Sequence, residues 1–114
     1  MKYMLMMFGD AETMTQERSP EWIREMLGFM QEFNTELNRN GEFVTAEGLA
    51  LPGTAKTVSL TDGQVVVTDG PFAEAKEQVG GFYLIDVPSI EEAVEWGKKI
   101  PLLPSDKLEV RKGK

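Results

Sequence analysis

The apolar and polar positions of this chain follow two periods, one typical of strands and one typical of helices. The run from Tyr3 to Phe8 is short and apolar and is closed by Gly9-Asp10, which predicts a buried strand over Lys2–Phe8. Ser19-Pro20-Glu21 then supplies an N-cap, a proline at the first helical position and an early acid. The helix that follows should run to Asn40-Gly41. Its apolar residues recur at three- and four-residue steps: Trp22, Met26, Phe29, Met30, Phe33 and Leu37.

Strand patterns dominate the middle of the chain. A second strand is predicted over Phe43–Glu47. Lys56–Thr61 and Gln64–Thr68 flank Asp62-Gly63, a pair that readily adopts the positive φ angles of a two-residue turn, so a β-hairpin is predicted. Residues 73–77 have high helix propensity but form too short a segment for a stable helix, and we interpret them as a helical turn in a loop.

The last third of the chain predicts a strand, a helix and a strand. Gly80-Gly81 precedes the β-prone run Phe82–Val87, and Ser89 opens a capping box for a helix that ends near Lys99. A final strand is predicted over Leu108–Arg111. The inward stripe of the second helix is predicted to consist of Ile90, Ala93, Val94 and Gly97. In the first helix, Gly28 is interpreted as a point of close packing on the sheet.

This order of elements predicts an α+β fold, a ferredoxin-like sandwich with both helices on one side of one sheet. The length suits a single domain over residues 1–114. In the first strand Tyr3, Leu5 and Met7 point one way, and Met4, Met6 and Phe8 point the other, so both sheet faces are apolar. Two helices can cover only one face. We therefore expect a homodimer that pairs through the other sheet face.

Composition narrows the classes of function. The net charge of -7 argues against nucleic acid as a partner, because phosphate binding needs clustered Lys and Arg. The chain has neither Cys nor His, which removes thiol and imidazole chemistry and fits a reducing compartment. No apolar run is long enough for a membrane span, and we expect a cytoplasmic protein. No spacing of residues indicates a metal site, although Mg²⁺ held by carboxylates stays an open alternative. No phosphate-binding or dinucleotide motif is present, so no cofactor is predicted.

The turn Asp69-Gly70-Pro71-Phe72 carries the candidate chemistry. Proline has no N–H, so Asp69 cannot make the common side-chain bond to the backbone two residues ahead. The Asp69 carboxylate then either caps the following helical turn or projects into a cleft. In the second case Asp69, Glu74 and Lys76 are the candidate catalytic residues, as general base, general acid or anchor. Trp22 and Trp96 are interpreted as core or edge-of-core residues.

The segment from Val67 to Glu77, with Gly80-Gly81-Phe82-Tyr83-Leu84-Ile85 after it, resembles the DGPF branch of the YCII-related family. The resemblance extends from Met1-Lys2-Tyr3-Met4 to Glu109-Val110-Arg111. It implies a dimeric α+β barrel, related in shape to small isomerases and monooxygenases. Most members have no established activity. Wider relatives are suspected of chemistry through a His-Asp pair, which this chain cannot form because it has no His.

Two classes of function follow. The first is a dimeric small-molecule-binding or enzyme-like protein with a pocket near the Asp69 loop. The alternative is a regulatory or protein-interaction module without chemistry, which the missing His and Cys favour. The resemblance also implies a link to sigma factors of the extracytoplasmic-function type.

Overall fold

A computed structural model describes residues 1–10, 17–71, 77–102 and 106–114. These residues form six strands and two α-helices in the predicted order. A single 3₁₀ turn, Pro52–Thr54, follows the second strand. The elements are β1 (Lys2–Asp10), α1 (Pro20–Arg39), β2 (Phe43–Gly48), β3 (Lys56–Thr61), β4 (Gln64–Asp69), β5 (Glu77–Asp86), α2 (Ile90–Lys98) and β6 (Lys107–Lys112).

Both helices begin at the predicted caps. The Ser19 hydroxyl accepts the Trp22 N–H at 3.1 Å, and Pro20 occupies the first helical position, where its missing N–H has no consequence. The Ser89 hydroxyl accepts the Glu92 N–H at 3.3 Å in the same way.

Four strands form one antiparallel sheet in the order β2-β5-β1-β6. Each helix connects two strands that are not neighbours, as in a ferredoxin-like sandwich, and the α+β class is confirmed. The hairpin β3–β4 forms a separate two-stranded sheet. Its turn has φ angles of 50° at Asp62 and 78° at Gly63, as the Asp-Gly pair predicts.

The core lies between the helices and one face of the four-stranded sheet. Phe33 of α1 is its centre: its ring centroid lies 5.0 Å from that of Tyr83 on β5 and 5.6 Å from that of Trp96 on α2, both edge-to-face. This geometry is favourable for aromatic quadrupoles. Leu5 of β1 and Ile85 of β5 are fully buried against this cluster. One aromatic cluster therefore joins both helices to the two central strands.

The opposite sheet face carries no helix. We call its central side chains the open-face patch: Met4 and Met6 on β1, Leu84 and Phe82 on β5. Met4 pairs directly with Leu84 and Met6 with Phe82, and all four are half-buried. Polar residues flank the patch on the edge strands: Thr45 and Glu47 on β2, Glu109 and Arg111 on β6.

Strand β5 starts earlier than the pattern predicted. It begins at Glu77 and includes Gly80 and Gly81, which were expected to precede the strand. The register shifts between Met7 and Phe8, so that Gly81 pairs with Met7 and Val79 with Phe8. Glycine is tolerated in a strand interior where a bulge or a close backbone approach requires it. Glu77 is therefore a strand residue, and residues 73–76 of the predicted helical turn lie outside the described residues.

Two interpretations of helical positions were wrong. Ala93 and Gly97 of α2 face inward as expected, but Trp96 completes the stripe, and Ile90 and Val94 are exposed. The Trp96 indole packs edge-to-face on Phe33 of α1, which places this position of α2 in the core. Gly28 of α1 does not pack on the sheet, because no described heavy atom outside its own helix lies within 4 Å of the Cβ it would carry.

Replacement by alanine should have opposite effects on stability at Gly81 and at Gly28. A Cβ at Gly81 would lie 2.8 Å from the backbone oxygen of Glu47, so Gly81→Ala should destabilise the protein by about 1–3 kcal/mol. Gly28→Ala should stabilise it by about 0.5–1 kcal/mol, because alanine has the higher helix propensity. Urea denaturation of both variants measures the difference, and equal effects would contradict the close approach of β2 and β5.

Candidate functional site

A cavity of about 420 Å³ opens at the end of the sheet where β1 finishes and α1 begins. Its walls come from five parts of the chain that are distant in sequence. The described residues that line it are Met7, Phe8, Gly9, Arg18, Trp22, Met26, Met30, Leu49, Ala50, Leu51, Pro52, Gly80, Ile100, Pro101, Leu102 and Asp106. Most of these are apolar, so the cavity suits the apolar body of a small molecule.

The first half of α1 supplies one wall. Trp22, Met26 and Met30 lie four residues apart and therefore share one helix face. That face continues into the core through Phe33, but the cavity lies before the aromatic cluster and is not filled by it. Trp22 is half-buried on the cavity wall, about two turns before the residues of α1 that pack against the buried core, so its expected place in the core is not confirmed.

The opposite wall is the loop after β2, which backbone hydrogen bonds hold in place. The Leu49 N–H donates to the Gly80 carbonyl at 2.9 Å, which fastens the loop to β5. The Leu51 carbonyl accepts from both the N–H and the hydroxyl of Thr54, at 3.0 and 2.7 Å. Because its polar backbone groups are satisfied locally, this loop can present Leu51 and Pro52 to the cavity as a formed surface.

Charged groups of both signs lie on the cavity wall. The Arg18 guanidinium carbon lies 5.1 Å from the centroid of the Trp22 ring, a cation–π geometry. Asp106, half-buried just before β6, is the other charged residue among those lining the cavity in the described chain. The cavity therefore combines an apolar interior with two polar positions that could orient a ligand.

Below the cavity, the Tyr83 hydroxyl connects it to the core. The hydroxyl donates to Asn34 Oδ1 at 2.7 Å and lies 3.7 Å from the sulfur of Met30, a cavity residue. Burial raises the pKa of Tyr83 above its ordinary value, because the phenolate would lose its hydration. Tyr83 is thus a neutral donor at physiological pH, and its bond to Asn34 fixes the α1 face that carries Met30.

Asp69 lies at the end of β4, and its carboxylate is largely exposed and accepts a hydrogen bond from the Lys56 ammonium. Neither sequence alternative for Asp69 included this partner. The sequence did contain a signal for Lys56 as this partner. The Asp62-Gly63 pair predicts a two-residue turn, which fixes the hairpin register and places Lys56 opposite Asp69. An ion pair this exposed contributes little to stability.

Backbone hydrogen bonds connect the residue after Asp69 to the loop that forms the cavity wall. Gly70, with φ of 90°, donates its N–H to the Ala55 carbonyl at 2.7 Å, and its own carbonyl accepts the Thr57 hydroxyl at 2.7 Å. Ala55 in turn donates to the carbonyl of Pro52, a cavity residue, at 3.0 Å. Asp69 itself does not line the cavity among the described residues. Glu74 and Lys76 lie outside the described residues, so the catalytic role of the three stays a prediction.

The described residues contain no cluster of three or more Asp or Glu side chains placed to hold a metal ion. Within the same part of the chain, neither helix is long and apolar enough to cross a membrane.

Comparison with known proteins places the chain in a family. The family model of the YCII-related domain matches residues 1–112. An uncharacterized protein of Rhizobium meliloti (strain 1021) is 31% identical over 100 residues, which cover 88% of this chain and 80% of the relative. Since the match spans both sheet edges, both helices and the cavity walls, the chain belongs to the YCII-related domain family.

Proposed function

We propose that this protein is a homodimer that binds a small, largely apolar molecule in the cavity beside Trp22. The observation that carries the proposal is the cavity itself, whose volume of about 420 Å³ lies in the range of ligand pockets. Its loop wall is held by its own hydrogen bonds, which favours a cavity that is formed before a ligand binds. A site that is already formed loses less conformational entropy when a ligand binds than a site that must first become ordered.

The ligand class follows from the walls. Trp22, Met26 and Leu51 offer an apolar surface, and Arg18 and Asp106 offer polar contacts at its edge. A molecule with an apolar or planar body and a single polar group matches this arrangement. The groups on the described wall support recognition and include no nucleophile paired with a base.

The Asp69 turn is connected to the cavity wall by the hydrogen bonds from Gly70 to Ala55 and from Ala55 to Pro52. This connection supports the proposal that Asp69 acts on a ligand, and the proposed roles of Glu74 and Lys76 rest on the sequence alone. A regulatory module that binds a ligand without chemistry fits the same walls, and its link to a sigma factor stays a prediction from the family resemblance.

Binding should weaken when the loop wall becomes charged. Leu51→Asp places a carboxylate on the apolar wall and should lower the affinity for the fluorescent probe 1-anilinonaphthalene-8-sulfonate by about five- to tenfold, which corresponds to about 1–1.4 kcal/mol. The matched control is Leu27→Asp, because Leu27 is similarly exposed on α1 but does not line the cavity. Fluorescence titration measures both affinities. Equal affinities in the two variants would show that the probe binds elsewhere.

The homodimer is proposed from the open-face patch. Met4, Met6, Phe82 and Leu84 form a contiguous apolar surface in the middle of a sheet whose other face is the core. An open antiparallel sheet that faces water normally alternates polar and apolar residues, and these two strands do not. A second copy of the chain is the partner that a two-fold axis would supply with the same apolar surface, as in a dimeric α+β barrel.

Met6→Glu should dissociate this dimer, since it places a charge at the centre of the patch. Sedimentation velocity at micromolar concentration should give a dimer for the parent chain and a mass near 12.7 kDa for the variant. Leu27→Glu, which changes an exposed residue on the helical side, should stay dimeric. Far-UV circular dichroism checks that Met6→Glu is folded, and a folded variant that still sediments as a dimer would refute the proposed interface.

A further inference from the structure

One face of the β3–β4 hairpin is apolar between its turn and the Lys56–Asp69 ion pair at its base. Val58 lies opposite Val67 and Leu60 lies opposite Val65, so four aliphatic side chains form a block two residues long and two strands wide. Their side chains are far more exposed than such residues usually are: 65% for Val58, 73% for Leu60, 72% for Val65 and 62% for Val67. We call this block the hairpin patch.

The other hairpin face is mostly polar. Thr57 lies opposite Thr68, and Ser59 lies opposite Val66. This alternation is typical of a strand pair with one face toward water and the other toward an apolar partner. The polar face therefore identifies the hairpin patch as the face that is built to be covered.

Nothing among the described residues covers it. The two strands pair with each other and with no strand of the four-stranded sheet, and an isolated two-stranded hairpin is at best marginally stable in water. The Cα radius of gyration is 16.1 Å, against roughly 13 Å expected for a compact chain of this length. A hairpin that projects from the body of the protein accounts for this difference.

The hairpin patch matches the open-face patch in shape. Each consists of two directly opposed pairs on neighbouring antiparallel strands, Val58–Val67 and Leu60–Val65 in one, Met4–Leu84 and Met6–Phe82 in the other. Strand spacing gives both blocks the same lattice of roughly 5 Å by 7 Å. Both are bordered by polar residues, so each can be buried without burying its border.

We propose that the hairpin of one copy packs its aliphatic face on the open-face patch of a second copy, and that the two-fold axis repeats the contact in the other direction. The inference rests on the proposed homodimer and changes its contact: the hairpin of the partner, rather than the same patch of the partner, covers each open-face patch. Because each copy both gives its hairpin and receives that of its partner, no contact surface is left over, and the assembly stops at two chains. The hairpin patch alone presents on the order of 400 Å² of apolar surface, which is the size at which an exposed patch usually marks an interface.

In a reciprocal contact each copy buries two apolar surfaces, its own hairpin patch and its own open-face patch. This is more apolar area than either patch would bury alone.

Single cysteines test the contact directly, because the natural chain has none. One protein carries Leu60→Cys and a second carries Met6→Cys, so a mixed disulfide can form only between two chains. After mixing, subunit exchange and mild oxidation, mass spectrometry should find the mixed disulfide at least tenfold above the level given by Ser59→Cys with Met6→Cys. Ser59 is the matched control, since it neighbours Leu60 on the polar face. Val65→Cys, opposite Leu60, should behave as Leu60→Cys does.

The outcomes separate this inference from the proposed homodimer. A parent chain that sediments as a dimer, with a Met6→Cys disulfide to its own kind and no enrichment from Leu60→Cys or Val65→Cys, would overturn the hairpin contact and leave the dimer. A parent chain that sediments as a monomer would overturn both. Enrichment at Leu60 and Val65 but not at Ser59 supports the contact.

Discussion

Two helices cannot cover both faces of a four-stranded sheet, and the organisation of this protein follows from that limit. The aromatic cluster of Phe33, Tyr83 and Trp96 fixes both helices on one face. The strands that carry this core, β1 and β5, also carry apolar residues on the other face, because their sequences do not alternate with polar residues. The fold is thus complete on one side and leaves an apolar surface on the other.

The cavity arises from the same one-sided packing. Helix α1 begins near the end of β1, and its first inward residues, Trp22 and Met26, line the cavity instead of joining the aromatic cluster. The loop after β2 closes that side through its bonds to Gly80 and Thr54. A cavity at the end of a sheet, walled by a helix and a loop, needs no residue beyond those that build the fold.

The sequence predicted most of the fold because its signals were local. The Asp62-Gly63 turn, the Ser19 and Ser89 caps and the four-residue spacing on α1 each depend on neighbouring residues only. The early start of β5 could not be predicted from local sequence. Glycine fits inside this strand because the backbone of β2 approaches it too closely for a side chain at Gly81. Trp96 lies in the core as expected, but the exposure of Val94 was not predicted, because it depends on the contact between Trp96 and Phe33, which is far away in the sequence.

The site was harder to predict than the fold. The cavity gathers five separate segments, and no spacing in the sequence shows that Trp22, Leu51 and Asp106 meet. The Asp69 turn is a recognisable sequence motif, but the motif does not identify the partner of Asp69. That partner is Lys56, and the hairpin register places it there. Local motifs identify turns, whereas cavities depend on contacts between distant elements.

The central claim is that the open sheet face is covered in solution, and methionine methyl groups report on it directly. In a protein labelled at its methionine methyls, a soluble paramagnetic agent should relax Met1 strongly, because Met1 is 55% exposed. Met7 is half-buried like Met4 and Met6 but lies on the helical side of the sheet, so if a second copy covers the open face, Met4 and Met6 should relax more slowly than Met7. Relaxation of Met4 and Met6 as fast as that of Met7 would contradict the account.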